Sequence, residues 1–172
     1  MGQAAHVGGN TLVQIACQCL AIEFRNCDER ESTRGRARVL QEMPADYPHR
    51  PRYLKLYREM AEKVAAIQPA DGYWRSNLLD VEATPKPETS GTAFFVYGLA
   101  WGVNEGLLDR ETYGPVIRRG WSALVRAVQP DGRLGYVQRI GDQPGETTAA
   151  GTEIYGIGAL LLAGTEVMEM AR

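Results

Sequence analysis

The stretch Ile67–Trp74, IQPADGYW, has a partial copy in Val128–Tyr136, VQPDGRLGY. Each copy follows an amphipathic segment and precedes a long loop that leads into a nearly all-apolar segment. Proline cannot continue a helix, and glycine adopts backbone angles that other residues avoid, so a Gln-Pro…Asp-Gly sequence is typical of a helix end. We interpret both copies as turns that break a helix and let the chain cross to the next one, with Gly72 and Gly132 at positive φ.

The sequences around the two turns repeat with a spacing of 60 residues. The pairs at this spacing are Asp71-Gly72 with Asp131-Gly132, Tyr53 with Tyr113, Arg58 with Arg118, Gly91-Thr92 with Gly151-Thr152, and Gly98 with Gly158. A period of this length over helical units is typical of stacked helical hairpins, in which each unit buries its apolar face against its neighbours.

The helical segments alternate in character. Residues 51–68 and 109–129 carry their apolar side chains on one stripe, whereas residues 90–106 and 151–170 are apolar almost all round. Asp109 is expected to be the N-cap of its helix. The alternation predicts two concentric layers, with amphipathic helices outside and apolar helices inside. The predicted fold is therefore all-α, a partial (α/α) barrel or toroid of stacked helical hairpins whose inner helices are exposed along two edges.

Residues 1–35 differ in composition from the rest and predict one helix followed by a charged lead-in, so the α/α-hairpin domain is assigned to residues 36–172.

The chain has 19 basic and 21 acidic residues. This balance gives no reason to expect a nucleic-acid partner, and no apolar run is long enough to span a membrane. We expect a cytoplasmic protein.

The cysteines and histidines do not form a recognisable site. The three cysteines, Cys17, Cys19 and Cys27, are odd in number and close together, which is a poor disulfide framework. His6 and His49 are isolated, and no second ligand pair has metal-binding spacing. We therefore expect no metal and no cofactor.

The long loops enter the inner helices at their N-terminal ends, where unpaired N–H groups and the helix dipole favour an anionic ligand. The loops combine aromatic, amide and hydroxyl groups, a mixture that suits a sugar. Trp74 and Tyr136 are candidates for stacking on a sugar ring, with anchoring of the loops as the alternative. Thr89 or Ser90 is expected to cap the first inner helix. No two carboxylates are paired on one helix face, so the catalytic residue is unknown.

Residues 87–109, PETSGTAFFVYGLAWGVNEGLLD, resemble glycoside hydrolase family 105, the unsaturated rhamnogalacturonyl hydrolases. These enzymes are related to the unsaturated glucuronyl hydrolases of family 88. The resemblance extends over residues 38–167 and implies the C-terminal part of a six-hairpin (α/α)₆ barrel. It also implies hydrolysis of oligosaccharides that carry a 4,5-unsaturated uronic acid, such as those derived from pectin, by metal-free hydration of the double bond.

The resemblance also implies a catalytic aspartate well upstream and an Arg-Gly-Asn-Gly-Trp motif just before Ala37–Gln41. Cys27–Glu31 read CDERE at that position, so a truncated relative is expected. Together with Tyr136, the positions that match family segments near the barrel mouth give the candidate substrate-binding residues Trp74, Arg75, Glu88, Thr89, Ser90, Thr92, Tyr136, Thr152 and Tyr155. If the chain proves catalytic, Asp80, Asp109 and Glu88 are the first carboxylates to test.

Two alternatives to a hydrolase remain open at this level. One is a non-catalytic remnant or pseudoenzyme that binds oligosaccharide or self-associates, as a homodimer that covers the exposed inner helices. The other is a toroid like the terpene cyclases, because Gln68, Gly72 and Trp74 fit the turn motif of those enzymes. The second copy of the turn lacks the tryptophan, and no Asp-rich protonation motif is present, which disfavours the cyclase.

Overall fold

The computed structural model describes residues 36–139 and 146–172, so the predicted segment 1–35 lies outside the described residues. The helices of the described part are α1 (Arg36–Glu42), α2 (Arg50–Ala66), α3 (Thr89–Asn104), α4 (Arg110–Ala127) and α5 (Ile154–Met170). The only β pairing in this part is an isolated bridge between Val128 and Leu134. The all-α prediction is therefore confirmed. None of these helices combines the length and the apolarity needed to cross a bilayer.

The helices form the two predicted layers. The outer helix α2 buries one stripe, which includes Tyr57 and Val64, and the outer helix α4 buries a stripe that includes Ile117 and Leu124. The inner helix α3 is buried along almost its whole length and on every side. It packs most extensively against the inner helix α5 and next against α4. An apolar helix of this kind is stable only when neighbours cover all of its faces.

Local sequence explains where the outer helices begin. Pro51 lies in the first turn of α2, where its missing N–H removes no helical hydrogen bond. The Asp109 carboxylate accepts a hydrogen bond from the Thr112 N–H at 2.7 Å and caps α4, as predicted. Arg50 donates to the backbone oxygens of Leu40 and Met43 at 2.8 and 2.7 Å, which joins α1 to the start of α2.

The 60-residue spacing holds for the outer helices but not for the inner ones. The outer helices start at Arg50 and Arg110, 60 positions apart, whereas α3 and α5 start 65 positions apart. The connection that follows Gly132 is five residues longer than the one that follows Gly72. The predicted pairing of Gly91-Thr92 with Gly151-Thr152 is therefore wrong. Gly91 lies inside α3, and Gly151 lies in the loop before α5.

The two Asp-Gly turns take the backbone angles predicted for them. Gly72 has φ +92° and Gly132 has φ +83°. Their surroundings differ, however, because a Cβ at Gly72 would lie 2.4 Å from the backbone oxygen of Arg119, whereas nothing lies within 4 Å of a Cβ at Gly132. Glycine is therefore favoured at Gly72 for two reasons, the positive φ of the turn and the close packing of the turn on α4. At Gly132 only the positive φ favours glycine.

Replacing each turn glycine with alanine separates the cost of the backbone angle from the cost of the steric conflict with α4. We expect Gly132→Ala to lower the free energy of unfolding by about 1 kcal/mol, the cost of a left-handed backbone for a residue with a Cβ. We expect Gly72→Ala to lower it by about 3 kcal/mol, because the steric conflict with α4 adds to that cost. Urea unfolding of the two variants measures the difference. Equal losses would show that the turn does not pack on α4 as described.

Candidate functional site

The N-terminal ends of the inner helices α3 and α5 lie side by side, because Ser90 in the first turn of α3 and Tyr155 in the first turn of α5 approach to 3.3 Å between their hydroxyl oxygens. Both long connections end here. We call residues 74–92, 134–139 and 146–155 the rim. All nine predicted substrate-binding residues belong to the rim.

The cap of α3 is Glu88, so the prediction of Thr89 or Ser90 as the N-cap is wrong. The Glu88 Oε1 accepts from the Ser90 N–H at 2.9 Å and the Oε2 accepts from the Gly91 N–H at 2.7 Å. One carboxylate therefore satisfies two of the N–H groups that a helix start leaves unpaired. A Cβ at Gly91 would lie 2.7 Å from the Glu88 Oε2, so glycine at that position makes room for the cap.

Glu88 also connects the first unit to the second. Its Oε1 accepts a hydrogen bond from the Ser90 hydroxyl at 2.5 Å and from the Gln138 N–H at 3.4 Å. The Tyr155 hydroxyl donates to the backbone oxygen of Gln138. The carboxylate thus lies at the centre of a network that joins α3, the segment 134–139 and α5.

The electrostatics of Glu88 follow from its burial, since only 6% of the residue is exposed. Burial raises the pKa of Glu88 above its ordinary value, because the charged form loses its hydration. Hydrogen bonds from Ser90 and Gly91 stabilise the charged form and lower the pKa, but their effect is smaller than that of burial. Burial likewise raises the pKa of the Tyr155 hydroxyl.

Three of the predicted residues are structural supports below the rim surface. The Thr89 hydroxyl donates to the Gly135 oxygen at 2.8 Å, and the Thr92 hydroxyl oxygen accepts from the Trp74 N–H at 3.1 Å. Trp74 is 1% exposed and its indole N–H donates to the Val64 oxygen at 3.0 Å. Trp74 is therefore the anchor of its loop, and the interpretation that it stacks on a sugar is wrong, because no face of the ring is accessible.

The Arg75 side chain is also held by the protein. Its guanidinium forms an ion pair with Asp71 at 2.5 Å, and its Nε donates to the Pro85 oxygen at 2.9 Å. These bonds fold the loop after the first turn back on itself. A ligand carboxylate would have to displace Asp71 to bind Arg75.

The remaining predicted residues, Tyr136, Thr152 and Tyr155, are half-buried at the rim surface. Tyr136 is the non-glycine residue at positive φ in the described part of the chain, with φ 57°. The Thr152 hydroxyl is buried and has no hydrogen-bond partner among the described residues. Tyr136 and Tyr155, rather than the whole predicted set, therefore present side chains where a ligand can reach them, whereas the Thr152 hydroxyl is shielded.

The structure adds Ser76 and Gln138 to this surface. The Ser76 hydroxyl donates to the Gln138 Oε1 at 2.7 Å and joins the loops of the two units. The two residues are 62 positions apart, and neither lies in a motif. In the sequence, what indicates a role for these two residues is their position in polar loops that lead to the N-terminal ends of inner helices.

The candidate carboxylates do not converge on one point. Asp80 is exposed and accepts from the Ala83 N–H at 3.2 Å, as a turn residue does. Asp109 lies beyond the opposite end of α3, about 24 Å away along a helix of this length. Hydrogen bonds from Thr112 lower the pKa of Asp109, which disfavours proton donation. Within residues 36–139 and 146–172, no three His, Cys, Asp or Glu side chains are grouped so that they could hold a metal ion.

Stacked two-layer helical hairpins of this kind are the building units of helical barrels, and comparison with known proteins shows to which family the chain belongs. Residues 33–171 match the model of Glycosyl Hydrolase Family 88, and the chain belongs to this family. The family predicted from the residues, family 105 together with its relative family 88, is therefore confirmed at this level.

Individual relatives agree with this assignment. The chain is 44% identical over 136 residues to an unsaturated 3S-rhamnoglycuronyl hydrolase of Formosa agariphila, which covers 79% of this chain and 36% of the relative. A solved structure of a glycosyl hydrolase family 88 protein from Bacteroides vulgatus is 43% identical, with a TM-score of 0.73 over 77% of this chain and 39% of that one. The chain thus spans little more than a third of these relatives.

A more distant solved structure shares the fold. It is described as a possible member of glycoside hydrolase family 105 from Salmonella enterica serovar Paratyphi A, and it is 21% identical with a TM-score of 0.68. The match covers 81% of this chain and 38% of the other. At this identity the likeness supports the helical barrel architecture alone.

The buried Glu88 gives a testable dependence of stability on pH. Because its pKa is raised in the folded state above the ordinary value of 4.5, its contribution to stability is fully present below that pH and is lost as the pH rises through the folded pKa. We therefore expect the stability of the wild type relative to Glu88→Gln to fall as the pH rises above about 4.5, as measured by urea unfolding.

Glu153→Gln is the matched control, because Glu153 is the N-cap of α5 and makes no side-chain capping bond in the described part of the chain. It reports the effect of removing one carboxylate from a helix N-terminus. A stability difference between wild type and Glu88→Gln that rises with pH would contradict the account, since it would mean that the hydrogen bonds outweigh burial.

Proposed function

We propose that this chain is part of a hydrolase that acts on oligosaccharides ending in an unsaturated uronyl residue, and that its rim contributes to the binding of that residue. The observation that carries the proposal is the 44% identity to an unsaturated 3S-rhamnoglycuronyl hydrolase. The proposed substrate class is an unsaturated uronic acid linked to a sugar such as rhamnose.

The chemistry of such a reaction is hydration of the 4,5 double bond of the uronic acid. A proton adds to C4 and a hydroxyl group from water adds to C5. The hemiketal formed at C5 then opens and releases the adjoining sugar. The substrate carries a carboxylate, so its site needs positive potential together with hydrogen-bond groups for the sugar hydroxyls.

The rim offers both features. Glu153, the N-cap of α5, makes no side-chain capping bond within the described residues, and the positive end of the α5 dipole faces the rim. The Thr152 hydroxyl, which lacks a partner within the described residues, lies at the same helix start. Tyr155 and Gln138 supply further polar groups nearby. We assign the uronyl carboxylate to the start of α5 and the sugar hydroxyls to Tyr155 and Gln138.

A second candidate function is oligosaccharide binding without catalysis by this chain alone. It is favoured because three carboxylates in or next to the rim are bonded to protein groups. Glu88 accepts four hydrogen bonds, Asp71 pairs with Arg75, and Glu146 pairs with Lys86 at 2.9 Å. Under this alternative, the proton donor is supplied from outside the described residues.

An unsaturated uronyl–rhamnose disaccharide distinguishes these functions. Turnover removes the ultraviolet absorbance of the 4,5 double bond, and calorimetric titration measures binding whether or not turnover occurs. We expect binding, with the saturated disaccharide as the control ligand. Binding without loss of absorbance would support the non-catalytic alternative, and absence of both would contradict the proposal.

The rim assignment is tested with Tyr155→Phe. Loss of the hydroxyl removes a hydrogen bond to the rim and to the ligand, so we expect the dissociation constant of the disaccharide to rise about tenfold. Tyr47→Phe is the matched control, because Tyr47 is exposed and precedes α2 at the opposite end of the helices. Equal affinities for the two variants would place the ligand elsewhere.

A further inference from the structure

Gln138 is held at the rim by three different parts of the chain. Its side-chain Oε1 accepts a hydrogen bond from the Ser76 hydroxyl at 2.7 Å. Its backbone oxygen accepts from the Tyr155 hydroxyl, and its backbone N–H donates to the Glu88 Oε1 at 3.4 Å. The loop of the first unit, the first turn of α5 and the cap of α3 therefore fix one glutamine in position.

The side-chain nitrogen of Gln138 takes no part in these bonds. A glutamine side chain has an oxygen that accepts and a nitrogen that donates two N–H groups. The Gln138 Nε2 makes no hydrogen bond to any residue within 36–139 and 146–172. In the same part of the chain, the buried side-chain polar atoms without a partner are the Trp101 Nε1 and the Thr152 Oγ1. The Gln138 Nε2 is therefore open to solvent, with two N–H groups available to a ligand.

Ser76 is itself held in place by its neighbours in the loop. The Arg75 Nε donates to the Pro85 oxygen at 2.9 Å. The Asn77 N–H donates to the Thr84 hydroxyl oxygen at 3.0 Å. The residues on both sides of Ser76 are therefore bonded within the same loop, and the position of the Ser76 hydroxyl is set by the first unit alone.

The bond from Ser76 determines which end of the Gln138 amide is available. The oxygen and the nitrogen of an amide lie on opposite sides of one carbon, so a hydroxyl that holds the oxygen turns the nitrogen away from the first loop. Without this bond the amide would rotate about its last torsion angle, which has a broad preference with two similar orientations. Ser76 removes this freedom before a ligand arrives, and such pre-organisation raises affinity.

We propose that Ser76 is a positioning residue for ligand recognition, which orients the Gln138 amide so that its N–H groups donate to a hydroxyl oxygen of the bound unsaturated uronyl disaccharide. Ser76 itself does not touch the ligand. This role rests on the proposed function, in which Gln138 contacts the sugar hydroxyls, and it adds the atom that makes the contact and the group that orients it.

The side-chain N–H signals of Gln138 in NMR report this contact directly. The isotope-labelled 172-residue chain is titrated with the unsaturated uronyl–rhamnose disaccharide, and the Gln138 signals are identified by their absence from Gln138→Glu. We expect these signals to shift as the disaccharide binds, because a new hydrogen bond forms at the nitrogen. In the free protein, we expect Ser76→Ala to lower the heteronuclear NOE of the same signals, because the amide regains its rotation.

Calorimetric titration separates the effect of the Ser76 hydroxyl from that of its size. Ser76→Ala removes the bond to Gln138, so we expect the dissociation constant of the disaccharide to rise about fivefold. Ser76→Thr keeps the hydroxyl, so we expect its affinity to stay within about twofold of the wild type. A role in loop stability alone would not move the Gln138 signals on ligand binding.

Thr165→Ala is the matched control. The Thr165 hydroxyl also makes a hydrogen bond of 2.7 Å, to the Leu162 oxygen. Thr165 lies on the exposed side of α5 together with Ile157 and Leu161, about three turns from the rim. We expect this variant to bind the disaccharide as the wild type does. Thermal unfolding of each variant shows whether it is folded.

The results separate this role from the proposed function. Shifted Gln138 signals, with a loss of affinity in Ser76→Ala that Ser76→Thr restores and Thr165→Ala does not share, support the role. Binding without a shift of these signals, or equal affinity of folded Ser76→Ala and wild type, overturns it and leaves the proposed function standing. Absence of binding to the wild type overturns both. If Ser76→Ala does not fold, the signal shift in the wild type and the affinity of Ser76→Thr decide.

Discussion

The structure depends on the complete burial of α3. This helix is apolar almost all round, so it has no face to leave in water and every neighbour must cover part of it. The outer helices bury their stripes against it, and α5 packs along its length. The Asp-Gly turn at Gly72 brings the chain from α2 back to α3, and its close packing on α4 ties the turn to the next unit.

Burial of α3 extends to its first turn, and this determines the character of the rim. Water does not reach the unpaired N–H groups there, so a protein group must satisfy them. Glu88 does so, and it remains ionisable in a buried position where hydration is lost. Because the same carboxylate binds the Gln138 N–H, the cap of the first unit also positions the segment that leads to the second.

The sequence predicted the architecture well because helix periodicity is a local property. The stripes of α2 and α4, the apolar character of α3, the Asp109 cap and the positive φ of both turn glycines could all be read from short segments. The spacing of 60 failed beyond Gly132, since a longer loop shifts α5 without changing its composition.

The candidate site could be predicted less completely, because the state of each side chain depends on distant partners. Trp74 is an anchor because Val64 accepts its indole N–H, and Thr89 is buried because Gly135 of the second unit accepts its hydroxyl. Ser76 and Gln138 meet only in the folded chain. A loop sequence rich in aromatic and polar residues does not distinguish supports of this kind from residues that face a ligand.

Native-state hydrogen exchange measured by NMR tests the central claim, that α3 is the shared core and α5 is half-open, most directly. The account predicts that amides between Phe94 and Ala100 of α3 exchange only through global unfolding, because every face of that helix is covered. It predicts that amides between Ile157 and Leu161 of α5 exchange through smaller openings. Equal protection of both helices, or faster exchange in α3, would contradict it.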